Sequence, residues 1–412
     1  MRNTFKDKKE LVMQGYIVLL AVSAIMFNVV MRYCYLGFDY DEHSLFVKTC
    51  IPIVLSPMLV CVLLSALFID NGHSKRVGIG GLLLMIAMTI IQTGSMIWMQ
   101  SLETGDDILI THYDYNLRLP MAIFVASSSF MRGGAIALIM SILSLKRKSS
   151  RKEEITLFAV IGLSVCIASF WLIYVRLCLS GSLVVLAGSL FTLLLIPALI
   201  YYWGLGKEKK PLISTSQETL NTKVGIRRVM LTLIIVILFS VTILSVWRYY
   251  PQYWGVSYKK EIVYKTVFSF SLLAMAVGLI TLMKKDLSAK KNLLYIGSLL
   301  LLVGLPLATL SVDVIIIDAI PQILIGVSAS LLFYSTADYI IRLQTKHHAM
   351  MCVGVTVLII ILSRLMIFIF NQLEYLIHTK AVALYIIYPL MALTLMVLSH
   401  QYQEEKEELS HE

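Results

Sequence analysis

The sequence is poor in charged residues and lacks any long polar region, and these two absences exclude a soluble protein. Asp, Glu, Lys and Arg make up only 15% of its 412 residues, whereas 58% of the residues are hydrophobic. The mean hydropathy is +0.82. No soluble domain of this length has such a composition. The longest hydrophilic stretch, residues 204–228, is too short to fold as an extramembrane domain.

Residue patterns for metal binding and covalent catalysis are also missing. The six cysteines contain no C-x-x-C pair, and the eight histidines show no H-x-x-x-H spacing. The sequence has neither a convincing Ser/His/Asp arrangement nor a phosphate-binding loop. We therefore expect no metal and no cofactor. Two alternatives come from other functional classes: a polytopic membrane enzyme and a transporter-like sensor. Measured flux of a substrate would exclude both.

What the sequence does contain is a series of about twelve apolar segments, each of about twenty residues and so long enough to cross a bilayer. The chain is therefore predicted to be an all-α polytopic membrane protein with twelve transmembrane helices. The predicted spans begin near residues 11, 48, 77, 118, 155, 181, 229, 262, 292, 314, 349 and 380.

Basic clusters between these segments orient the chain. With the N-terminus inside, every inner connection carries a Lys/Arg cluster, and both termini are cytoplasmic. We expect the cytoplasmic (inner) membrane as the location. The net charge of +10 then reflects topology and contact with anionic lipid, with no nucleic-acid partner. Outer loops of the first half are acidic, at Asp39–Glu42 and Asp106–Asp107. Lys259 and Lys260 of the second half are expected to approach these acidic clusters when the outer side closes. The alternative is that the charged loops are only solvated.

Local similarities indicate that the chain is a duplicated unit. The segment DNGHSKRVGIGGLLLM from Asp70 and the segment DLSAKKNLLYIGSLLLL from Asp286 both have an acid, a basic pair and Ile-Gly-small-Leu-Leu-Leu. Leu-Pro opens the fourth span and Ile-Pro the tenth. We predict a six-helix bundle at 1–203, a cytoplasmic linker at 204–228, a second six-helix bundle at 229–400 and a cytoplasmic tail at 401–412.

Asp70-Asn71-Gly72-His73-Ser74-Lys75-Arg76 resembles the signature between helices two and three of the major facilitator superfamily, G-x-x-x-D-(R/K)-x-G-(R/K)-(R/K). The acid and the terminal basic pair match, whereas Ala66 and Ser74 replace the glycines. The stretch from Arg132 to Ala135 resembles the fourth-helix R-x-x-Q-G motif of proton-linked drug antiporters through its Arg alone. The antiporter motif of helix five is absent.

The resemblance implies two six-helix bundles that rock about a central site and expose it alternately to each side. It also implies an inner-gate motif formed by Asp70, Gly72, Lys75 and Arg76, whose charges make contacts in one state and lose them in the other. The alternative is that this loop only carries cytoplasmic positive charge.

Arg132 is the strongest candidate for substrate binding or coupling. It lies near the midplane of its span, where a charge costs at least about 2.5–3.5 kcal/mol and is tolerated when it faces a cavity or a partner. The alternative is a structural Arg that holds helices together. Four further polar residues in the spans complete the candidate set: Asn28, Gln92, Asp318 and Arg364. Asp318 and Arg364 could form an ion pair, which would serve equally well as a static structural contact or as a coupling site.

Together these features predict a monomeric secondary active transporter that moves a small organic molecule across the bilayer. The antiporter resemblance favours efflux, and uptake of an organic anion by symport is the alternative. Helix one offers only Asn28 as a deep polar residue, where many proton-linked relatives have a carboxylate, so proton coupling is left open.

Overall fold

The computed structural model describes residues 10, 12–25, 45–102, 115–146, 151–175, 181–205, 258–285, 293–309 and 315–343, with positions 390, 393, 394, 396 and 397. Over these residues the chain contains helices and no strands. Nine helices are labelled in chain order: α1 (Val12–Ile25), α2 (Leu45–Asp70), α3 (Ser74–Leu102), α4 (Tyr115–Lys146), α5 (Arg151–Val175), α6 (Gly181–Gly204), α7 (Tyr258–Lys285), α8 (Leu293–Thr309) and α9 (Ile315–Leu343).

The predicted all-helical fold is confirmed. Helices α1 to α6 coincide with predicted spans one to six, and α7 to α9 coincide with spans eight, nine and ten. Within the described ranges, four helical segments are long and apolar enough to cross a membrane: Ser74–Trp98, Ala122–Leu145, Thr266–Lys284 and Ile315–Ala337. Five shorter apolar helices accompany them. Predicted spans seven and eleven, and most of span twelve, lie outside the described residues.

Contacts divide the chain into two compact units. The first comprises Met1–Lys148 and Trp171–Leu212, and the second comprises Ser149–Phe170 and Ile213–Glu412. Most of α5 therefore belongs to the second unit, although it precedes the midpoint of the chain. The predicted domain boundary at residues 204–228 follows chain order and stays a prediction.

In the first unit, α4 packs along both α2 and α3, and α6 packs on α3. Close approach is possible because small residues meet at the crossings. A Cβ on Gly134 would lie 2.8 Å from the backbone oxygen of Gly81, and a Cβ on Gly133 would lie 2.7 Å from the Cβ of Cys61. Gly81 belongs to the repeated Ile-Gly-small motif, so that motif marks a helix-packing site.

In the second unit, α9 packs along both α7 and α8, which is the corresponding arrangement. The repeated motif again lies at a crossing, because the hydroxyl of Ser328 donates a 2.6 Å hydrogen bond to the backbone oxygen of Gly297. The first part of α5 also belongs to this unit. A Cβ on Gly162 would lie 2.8 Å from Leu279 Cδ1 and 3.0 Å from Phe333 Cε1, and Ile155 joins Leu282 and Tyr334 in a buried cluster.

Candidate functional site

Arg132 lies on the side of α4 that faces away from lipid. Its neighbours on the helix fix this orientation, because successive residues are ~100° apart around the axis. Met131 and Gly134 contact α3, Gly133 contacts α2, and Phe130 is 38% exposed on the side between those two helices. Arg132 projects about 160° from Phe130 and is only 7% exposed. The charge is therefore held inside the protein rather than presented to the hydrocarbon.

Buried serines share this side of α4. Ser128 and Ser129 are within about 60° of Arg132 around the helix and are 8% and 1% exposed. Ser127 projects in another direction, and its hydroxyl donates a 2.9 Å hydrogen bond to Phe124 O within the same helix. The interior side of α4 therefore carries one cation and two hydroxyl groups. Such groups bind oxygen-bearing or anionic ligands.

Gln92 lies on the packing face of α3 and is 1% exposed. Thr89, one turn earlier on the same face, contacts Met131 through its hydroxyl at 3.6 Å from the sulfur. The antiparallel register of α3 and α4 places Gln92 at about the level of Ser127. The structure therefore places Gln92 on the face of α3 that packs against α4, about one turn along α4 from the Cα of Arg132.

Asp318 is a buried polar residue of the second unit. It lies in the first turn of α9, is 2% exposed, and shares one side of the helix with Gln322. Ile316 and Ile320, which are 78% and 53% exposed, lie on the opposite side. Gln322 is 1% exposed, and among the described residues its Nε2 has no hydrogen-bond partner. Its burial adds Gln322 to the candidate residues. It was not selected from the sequence, because the only indication there was its closeness to Asp318.

Three groups of predicted residues are not located by the structure. Asn28 and Arg364 lie outside the described residues, so the Asp318–Arg364 ion pair stays a prediction. The acidic outer loops at 39–42 and 106–107 also lie outside them. Lys259 and Lys260 belong to the first turn of α7, but their side chains are not among those described.

The inner-gate motif forms a three-residue turn between α2 and α3. Asp70 is the last residue of α2, and Gly72 has a φ of 87°. Gly72 N donates to Ile69 O at 2.9 Å, and His73 N donates to Phe68 O at 3.0 Å. This pair of bonds is a Schellman motif, which ends a helix with a residue in the left-handed conformation. Gly72 therefore has a structural reason for its place in the motif.

The two basic residues of the motif have different surroundings. Lys75 is half-buried, and its Nζ donates to two backbone oxygens at the end of α6, those of Trp203 at 3.2 Å and of Leu205. Arg76 is exposed on the next position of α3. The side chain of Lys75 thus contacts its own unit.

Over the described ranges, no group of three or more His, Cys, Asp or Glu residues is arranged to hold a metal ion.

No protein-family model matches the sequence, and no curated protein matches it significantly. Solved structures do match. The chain resembles the major facilitator superfamily transporter FucP in the outward conformation, with a TM-score of 0.69, 10% identity and coverage of 96% of this chain and 98% of the other. It also resembles the proton:xylose symporter XylE bound to 6-bromo-6-deoxy-D-glucose, with a TM-score of 0.68, 12% identity and coverage of 96% of both chains.

A bacterial homologue of the iron transporter ferroportin, in the outward-facing state, matches with a TM-score of 0.69 and 13% identity. The match covers 96% of this chain and 99% of the homologue. The chain therefore has the fold of major facilitator superfamily transporters along nearly its whole length, and the predicted resemblance is confirmed at the level of the fold.

Proposed function

We propose that this protein is a secondary active transporter that moves a small organic molecule across the cytoplasmic membrane by alternating access. The observation that carries the proposal is Arg132, a cation buried on the non-lipid side of α4 in a fold shared with transporters along 96% of the chain. A charge inside a membrane protein marks a substrate or ion pathway by default. The matching structures are transporters, which favours transport over an enzymatic role.

The chemistry of Arg132 suggests the substrate class. A guanidinium group presents a planar fork of donors that matches carboxylate and carbonyl oxygens. With the hydroxyl groups of Ser128 and Ser129 on the same side of α4, it favours a substrate that carries an anionic or carbonyl group. Asp318 and Gln322 supply a second polar surface, on α9, for hydrogen-bonding groups or for coupling. Asn28, Gln92 and Arg364 complete the proposed set.

The direction of transport is proposed as efflux, on the resemblance around Arg132 to the drug antiporters. Proton-coupled uptake is the second candidate, because two of the matching structures are a fucose:proton and a proton:xylose symporter. Asp318 is the described carboxylate proposed to take part in coupling, since it is buried in the first turn of a spanning helix. A pH gradient imposed across vesicles separates the candidates, because symport and antiport respond to it with opposite sign.

The inner-gate prediction covers Asp70, Lys75 and Arg76, and the positions of Asp70 and Arg76 support it. Asp70 ends α2, and Arg76 is exposed at the start of α3, so both are accessible to another helix terminus or charge when the protein changes state. Gly72 shapes the turn that holds them.

The experiment that tests the proposed function begins with a thermal-shift screen of chemically diverse compounds on the purified protein. A bound compound raises the melting temperature because it stabilises by RT ln(1 + [L]/Kd). Each compound that binds is then followed, in labelled form, into vesicles that contain the protein. We expect counterflow that requires the wild-type protein and is lost in Arg132→Ala, while Phe130→Ala, on the lipid side of the same helix, retains it. Binding without any flux, or chemical turnover of the compound, would contradict the proposal.

A further inference from the structure

The last turn of α6 makes side-chain and backbone hydrogen bonds to three other helices of the first unit. Four residues between positions 201 and 205 take part, and together they contact α1, α3 and α4. Tyr201 OH accepts from Gln14 Nε2 of α1 at 3.4 Å, and Tyr202 OH donates to Ser141 Oγ of α4 at 3.1 Å. The backbone oxygens of Trp203 and Leu205 accept from Lys75 Nζ of α3.

Tyr202 is the buried centre of this arrangement, with 0% of its surface exposed. Its ring occupies the space that a side chain at Gly78 of α3 would need, so a Cβ there would overlap the ring. Its hydroxyl continues into a chain of hydrogen bonds. Ser141 Oγ donates to Ser74 O at 2.6 Å, and the Ser74 and Ser144 hydroxyls are 2.7 Å apart. The ends of α3, α4 and α6 are thereby joined by buried polar contacts, which are costly to break singly.

Lys75 has an additional effect because of where its cation lies. The last carbonyl groups of a helix have no partner within the helix, and they carry the negative end of the helix dipole. The ammonium group of Lys75 contacts two of these carbonyl groups at the end of α6. It therefore caps α6 from a neighbouring helix.

We propose that the last turn of α6 is a clamp, formed by Tyr201, Tyr202, Trp203 and Leu205, that fixes the point from which the chain continues toward the second half. Lys75 is the capping residue of this clamp. All of these contacts lie within the first unit, so the connection starts from a fixed point and α6 does not unwind when the halves move. This inference does not depend on the direction or substrate of transport.

Hydrogen exchange of the full-length protein tests the clamp directly. In Lys75→Met the stem remains but the donors are lost. We expect backbone amides in the last turn of α6 to exchange about two- to five-fold faster than in the wild type, the effect of losing a cation at a helix C-terminus. Lys75→Arg should restore slow exchange. Arg76→Met removes a positive charge from the next residue, which is exposed. It should leave the exchange rates at the end of α6 unchanged.

Equal exchange in Lys75→Met and wild type, or equal acceleration in Lys75→Met and Arg76→Met, would overturn the proposal. Tyr202→Phe provides an independent arm, because it keeps the ring against Gly78 and removes the hydroxyl that donates to Ser141. Here too the exchange of the α6 end should rise while that of α2 stays constant. If neither Lys75→Met nor Tyr202→Phe folds, rescue by Lys75→Arg decides the matter, since a fold that fails with Arg as well contradicts a capping role.

Discussion

At the scale of single residues, the burial of Arg132 imposes a free-energy cost that other groups must offset. A buried guanidinium group requires compensation by oxygen atoms or by water, because an isolated charge in hydrocarbon is costly. The interior side of α4 supplies hydroxyl groups, while the opposite side presents Phe130 to lipid. A helix that only packs against its neighbours would be more stable with an apolar residue at this position. The buried cation therefore supports a role for Arg132 in binding.

The substitution Arg132→Lys should therefore reduce transport by about ten-fold or more while the protein still folds. Lysine keeps the charge but loses the bidentate fork, and two hydrogen bonds to a charged partner are worth more than one. The measurement is initial flux into vesicles at matched protein content. Wild-type flux in both Arg132→Lys and Arg132→Ala would assign the residue to packing alone.

Gly72 supports a second prediction at this scale. Because its φ is 87°, a side chain there must adopt the left-handed conformation, which costs about 1–2 kcal/mol for most residues. Gly72→Ala should lower the melting temperature of the purified protein, and Gly72→Asn should lower it less, since Asn tolerates this conformation. Identical melting temperatures for the two variants would contradict the prediction.

At the scale of helices, glycine contacts set how closely α3 and α4 approach. A Cβ on Gly134 meets the backbone oxygen of Gly81, which cannot rotate away as a side chain would. Gly134→Ala should thus destabilise the first unit by about 1–3 kcal/mol through overpacking. Gly80→Ala is the matched control, because a Cβ there would meet no other helix within 4 Å among the described residues. It should be neutral or stabilising, since Ala favours helix. Thermal unfolding in detergent compares the two, and a larger loss for Gly80→Ala would refute the packing account.

The sequence allowed the helices to be predicted because length and hydropathy alone define a membrane span. It also indicated the Ile-Gly-small motif, which the structure places at helix crossings in both units. The contacts of Lys75 with α6 could not be predicted, because residues 75 and 203 are brought together only by tertiary packing. The position of Gln92 on the face of α3 that packs on α4 could not be predicted for the same reason, since a buried amide has the same sequence signature at a helix contact as in a cavity.

At the scale of the whole molecule, the basic clusters predict which connections face the cytoplasm. The turn at residues 71–73 and the segment at 103–114 lie at opposite ends of α3, so they must lie on opposite sides of the membrane if α3 spans it. In a variant without native cysteines, Thr104→Cys should react with a membrane-impermeant maleimide in intact cells. Asn71→Cys should react only after permeabilisation. The reverse pattern would invert the proposed orientation.

The allocation of α5 has a consequence for how the protein could be divided. Arg151–Phe170 precedes the connection at residues 204–228, yet Ile155 and Gly162 pack against α7 and α9 in the second compact unit. A fragment beginning after residue 228 would lack this helix, leaving the surfaces of Leu279 and Phe333 without their partner. If the gene is split at that connection, the two fragments should therefore yield stable protein only when they are expressed together. The first fragment would then supply α5 to pack against α7 and α9 of the second.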